Sequence, residues 1–80
     1  MTESQFEQKW SKKAKERGWL SIKNIQVSLN GWPDRMYMKN GKVFFIEFKN
    51  SKGKLSELQK YRIGQIRSLG FHCFIFENIY

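Results

Sequence analysis

Cysteine occurs once in the 80-residue chain, at Cys73, so no disulfide within the chain can hold it together. A thiol in an apolar run such as FHCFIF is expected to be a buried packing group, and a reducing, intracellular compartment is expected with it. Histidine is also single, and His72 is expected to be a strand residue; no zinc-ligand cluster and no Ser-His-Asp set is visible. The absence of a Gly-rich phosphate loop excludes P-loop nucleotide hydrolysis at the level of motif. No apolar stretch approaches the ~20 residues that span a bilayer. The opening MTESQFEQKW lacks a signal-peptide pattern, so a mature, soluble chain without a membrane partner is expected. Repeats, low-complexity segments and linkers are lacking too, and residues 1–80 are expected to form one domain.

Acidic residues are scarce: seven Asp and Glu stand against fifteen Lys and Arg, a formal charge of +8. A partner with dense negative charge follows, and nucleic acid leads because phosphate neutralisation rewards many dispersed cations. A membrane surface fits less well, since the most basic helix, carrying Lys9, Lys12, Lys13, Lys15 and Arg17, has no broad apolar face to lie in an interface. A chain this short buries only roughly 60% of its unfolded surface. Its apolar runs VFFIEF and FHCFIF are therefore expected to find cover in a homodimer.

Phe6, Trp10 and Ala14 recur at four-residue spacing and predict a helix from residue 3 to about 17, stopped at Gly18. Residues 19–29 read as extended, with Ile22, Ile25, Val27 and Leu29 apolar. Residues 34–38 and 43–49 flank KNGK and form the clearest hairpin. SELQ then opens a second helix with the form of a capping box, and Leu58, Tyr61 or Arg62, Ile66 and Leu69 are its expected buried face. FHCFIF is a final strand, apolar on both faces and expected to be covered on both. The order α-β-β-β-α-β predicts a mixed α/β sheet flanked by helices. At least two of Trp10, Trp19 and Trp32 are expected to be packing residues.

With Asn40 and Gly41 as a two-residue turn, Lys39 faces Lys42 and Met38 faces Val43; continuing outward, Asp34 faces Glu47. Like charges so placed are destabilising, their Cβ atoms only ~5 Å apart. Lys49 shares the face of Glu47. A one-residue change in the turn would separate the two acids. Two hard carboxylates with open coordination positions suit Mg²⁺ or Mn²⁺, which accept phosphate oxygens as further ligands. A metal held there can stabilise charge on a phosphodiester under attack, with a lysine beside it. The plainer alternative is that Asp34 caps a turn after Pro33 while Glu47 and Lys49 pair on an exposed sheet face.

PD at Pro33 and Asp34, followed by EFK at Glu47, Phe48 and Lys49, resembles the signature of the PD-(D/E)xK nuclease superfamily. More narrowly, GWPDR, VFFIEFK, GKLSELQ and LGFHCFIF, in that order over nearly the whole chain, are similar to the virus-type replication-repair nuclease (VRR-NUC) domains. The resemblance implies a restriction-endonuclease-like fold and a Mg²⁺- or Mn²⁺-dependent endonuclease of DNA, with Holliday junctions cut by a homodimer as the leading expectation. It implies metal ligation by Asp34, Glu47, the main chain of Phe48 and an acid of the first helix, Glu7 or its neighbour one turn earlier, Glu3. Lys49 matches the catalytic lysine and Gln59 the family's glutamine, although Gln59 could equally serve only the capping box. Lys23 and Arg35 are expected to contact DNA, with Lys52 and Lys54 adding charge beside the site. Bulky Trp32 stands where a smaller residue is common. The alternatives are a flap or nicking nuclease, a nuclease of RNA, or a non-catalytic nucleic-acid-binding module.

Overall fold

The computed structural model describes residues 2–25, 27–50 and 54–78. They form α1 (Glu3–Glu16), β1 (Leu20–Lys23), β2 (Arg35–Lys39), β3 (Lys42–Asn50), α2 (Glu57–Ser68) and β4 (His72–Asn78), a mixed α/β arrangement in the expected order. The sheet runs β1-β2-β3-β4: the first three strands are antiparallel, and β4 lies parallel to β3 because α2 supplies the crossover between them.

Both helices start on capping boxes. Ser56 and Gln59 form the expected one on α2, and Thr2 and Gln5 form another on α1, where TESQ has the same pattern. Asn40 and Gly41 have φ of 50° and 76°, the doubly left-handed geometry of a tight hairpin turn. The turn sets the register Lys39 opposite Lys42, Met38 opposite Val43 and Arg35 opposite Ile46. Alternation along β3 then divides the core. Ile46 and Phe48 join Ala14 and Tyr37 under α1, with Phe6, Trp10, Trp19, Phe44 and Phe76 packed against them. Phe45 joins Ile63, Ile66 and Cys73 under α2, with Trp32 and Met36 alongside. All three tryptophans are thus packing residues, and the Cys73 thiol is buried as expected. A buried hydrogen bond, 2.7 Å between Ser11 Oγ and Tyr37 Oη, fastens α1 to β2.

Three expectations hold only in part. β1 ends at Lys23 and does not continue to Leu29: Asn24 donates from its side chain to the Pro33 carbonyl and from its main chain to the Asp34 carbonyl, which closes a loop and leaves Ile25, Val27 and Leu29 exposed. α2 buries Ile63 and Ile66, whereas Leu58, Tyr61 and Leu69 face outward. Its inner side also carries half-buried Gln59 and Arg62, and Arg62 is the one of the pair Tyr61 or Arg62 that turns inward. β4 forms the sheet edge and is covered more fully on one face than on the other: Cys73 is buried under α2, while on the other face Phe76 is half-buried under Phe6 and Trp10 but Phe74 is 44% exposed.

Candidate active site

Asp34 lies one residue before β2, so the hairpin register continues to it and sets it opposite Glu47 on β3. Its carboxylate Oδ2 accepts a hydrogen bond from the Phe48 N–H at 2.9 Å. The Gly31–Asp34 segment is seated against the start of α2. Gly31 has φ of 82°, and a Cβ there would meet Leu58 Cγ at 2.9 Å, a contact that only glycine avoids. Arg62 Nε donates to the Asn30 carbonyl at 2.9 Å and fixes the same loop. The paired acids therefore meet the N-terminal turn of α2.

Gln59 makes two bonds at once, one within its own helix and one to β3. Its side-chain carbonyl accepts from the Ser56 N–H at 2.9 Å, closing the capping box, and its amide nitrogen donates to Glu47 Oε2 at 3.2 Å. Lys49 Nζ stands 3.5 Å from the same oxygen. The other oxygen of Glu47, Oε1, is buried and has no hydrogen-bond partner among the described residues. Burial, and then repulsion from Asp34, pushes the Glu47 carboxyl up to about 7 from 4.5, against the opposing pull of Lys49. Burial likewise raises Asp34, opposed by the Phe48 N–H. A buried carboxylate oxygen left without a donor is costly unless something cationic is placed on it.

Glu7 shares no hydrogen-bond partner with this group among the described residues, although its charge adds, after burial, to the rise of the Asp34 carboxyl. Arg35 and Tyr37 alternate with Asp34 along the chain, so they point to the α1 side of the sheet, where Lys23 pairs with Arg35 in the β1–β2 register. Glu7, nearly buried on α1, meets that face: its Oε2 accepts from Arg35 Nε at 2.6 Å and lies 3.2 Å from Lys23 Nζ. Among the described residues no three His, Cys, Asp or Glu side chains come close enough to hold a metal together. Arg35, expected to face DNA, has a side chain only 12% exposed and also donates to Ser21 Oγ, so its guanidinium is used internally. Strand parity in PDR, with Asp34 and Arg35 on opposite faces, is the signal that would have separated them. Glu7→Gln should therefore cost about 3 kcal/mol, the scale for orphaning one partner of a buried pair. The check is a lower urea midpoint at unchanged slope, partly restored by adding Arg35→Met; an unchanged midpoint would remove Glu7 from the account of stability.

Of the remaining expected DNA contacts, Lys23 keeps half its side chain exposed and Lys54 is exposed. Lys52 lies outside the described residues. Asp34, Glu47, Lys49, Gln59 and the Phe48 main chain are brought together; Glu7, Lys23 and Arg35 form a neighbouring cluster across the sheet. No family model matches the chain, and neither a curated protein nor a solved structure is similar enough to it to count as a match.

Proposed function

We propose that the protein is a Mg²⁺- or Mn²⁺-dependent endonuclease of branched DNA, built as a VRR-NUC-like variant of the restriction-endonuclease-like fold. The observation that carries the reading is half-buried Asp34 opposite buried Glu47, with an orphaned Glu47 oxygen and a lysine 3.5 Å from the other. The donors fit a small hard cation: all are oxygens, and in an extended strand the Phe48 carbonyl leaves on the same edge as its N–H, which points at Asp34. Asp34, Glu47 and the Phe48 carbonyl would hold the ion. Bound there, it would supply Lewis-acid stabilisation of charge on the phosphate and a more acidic water.

The chain's own groups do the rest. Lys49 places positive charge beside the phosphate oxygens as they become more negative. Gln59 fixes the rotamer of Glu47 by its 3.2 Å bond and keeps the second carboxylate oxygen turned toward the shared site. Lys23 and Lys54, with the +8 charge, attract and seat the DNA backbone. An open β4 edge with exposed Phe74 supports the further reading that the chain acts as a homodimer, with two sites for two strands.

The test is a labelled panel of four-way junction, flap, linear duplex and single-stranded RNA, each with Mg²⁺, Mn²⁺ or EDTA. Symmetric, metal-dependent cuts in the junction are the expected result. Metal-independent junction binding without cleavage would instead favour a non-catalytic binding module.

A further inference from the structure

At the other end of the sheet from the paired acids, α1 and the segment leading into β1 enclose a cavity of ≈ 150 Å³ lined by Trp10, Lys13, Ala14, Arg17 and Trp19. Its two indoles are held in place from within. Trp10 sets its ring edge-on to Tyr37 at 5.1 Å and to Phe44 at 6.1 Å, and Trp19 meets Phe44 at 4.9 Å. Both stay only half-buried, so part of each ring faces the cavity. Ala14 forms its small-residue wall. Lys13 and Arg17 are exposed at its rim, and neither is in an ion pair among the described residues. Lys39 adds a third cation, its Nζ 5.9 Å from the Trp19 ring centroid. Glu16 is the one acid of α1 at this end, on the exposed surface.

Rigid aromatic walls with unpaired cations at the mouth are the chemistry that holds an unstacked base and its phosphate. A cavity of about this volume takes one benzene-sized ring. We infer that the Trp10–Trp19 cavity binds an unpaired nucleobase of a single-stranded or branched nucleic acid, while Lys13 and Arg17 bind the flanking phosphate. The inference rests on the nucleic-acid reading above and deepens it. Ala14 is roughly 10 Å along α1 from Glu7 at 1.5 Å per residue, so a strand held at Lys23, the half-exposed partner of Glu7, can follow α1 to the cavity within a few nucleotides. A continuous duplex keeps its bases stacked and has none to offer, whereas a junction or flap does. The cavity would thus select the shape of the substrate at a distance from the acids that cut it.

The test uses the full chain in EDTA, where metal-dependent cleavage is silent, with Trp32→Phe so that emission reports Trp10 and Trp19. The probes are an oligothymidylate and the same oligomer with abasic positions, equal in phosphate number. Quenching by the first, and roughly tenfold weaker binding of the second, are expected, one stacked base being worth ≈ 1–3 kcal/mol. Lys13→Ala with Arg17→Ala should weaken binding of both probes, and Trp19→Phe, which keeps a ring on Phe44, should shrink the difference between them. Equal affinity for the two probes without quenching overturns the cavity assignment even when the junction is cleaved with metal. No binding of either overturns the assignment and the nucleic-acid reading together. A change of mass by light scattering in Lys13→Glu/Arg17→Glu, with equal affinity for the probes, would give the cavity to a second copy of the chain and likewise overturn it.

Discussion

Glu47→Gln is expected to raise the stability of the metal-free protein at pH 8 and to flatten its dependence on pH. Glu47 titrates near 7 in the folded chain and near 4.5 when unconstrained, because burial and Asp34 both disfavour its charge. A carboxyl raised in this way favours the folded state fully below pH 4.5; the advantage fades as pH climbs toward 7 and is gone above it, since the folded state there must carry a buried anion. The difference is on the order of 3 kcal/mol, or at least 10 °C in the melting temperature of so small a domain, as an order of magnitude. Asp34, raised for the same reason, acts in the same direction. Gln keeps the shape and can still accept from Gln59 while carrying no charge. Melting curves of both proteins from pH 4.5 to 8.5 should converge at the acid end and separate at the alkaline end. Adding Mg²⁺ or Mn²⁺ at pH 8 should stabilise the wild type and leave the variant unmoved. Parallel curves at all pH values, with no response to metal, would mean that Glu47 bears its charge without strain and that the paired acids hold no cation.

On the endonuclease reading proposed above, with Asp34 as a metal ligand, Asp34→Asn should abolish cleavage while leaving DNA binding intact. The asparagine oxygen can keep the 2.9 Å bond from the Phe48 N–H, so the local backbone is preserved. Removing one of two anionic ligands is expected to cost several kcal/mol of transition-state stabilisation, about a thousandfold in single-turnover rate. Affinity for DNA should hold or rise, because one negative charge has gone from a surface that meets phosphates. Cleavage at the wild-type rate would place the chemistry elsewhere; loss of binding and cleavage together, with the melting temperature unchanged, would make Asp34 a binding residue.

What could be read from the sequence was what local chemistry decides. NG between alternating runs dictates a two-residue turn, and counting outward from it puts Asp34 opposite Glu47. SELQ places Gln59 at the start of α2, though the letters alone did not separate its capping bond from its bond to Glu47. Tertiary competition was harder to see. Ile25, Val27 and Leu29 look like strand residues, yet the two hydrogen bonds made by Asn24 turn the chain away from the sheet. On α2 the spacing finds Ile66 and leaves Tyr61 or Arg62 open, but it misplaces Leu58 and Leu69, because Gln59 and Arg62 take inner positions, drawn there by Glu47 and by the Asn30 carbonyl. Glu7 enters only through the resemblance, as an acid of the first helix, and nothing in that match records that Arg35 and Lys23 stand on the face of the sheet that it meets.

The double duty of Gln59 narrows the alphabet at that position. Glutamate and glutamine serve a capping box equally well, since either offers an oxygen to the amide three residues back. Here the oxygen is committed to Ser56, and the atom beyond it faces Glu47. Glutamate would bring a second oxygen against a carboxylate already raised by its surroundings. A choice that is neutral for helix initiation is thus settled by a neighbour on another strand, and descendants of this chain can drift between Gln and Glu at residue 59 only if position 47 has first lost its charge.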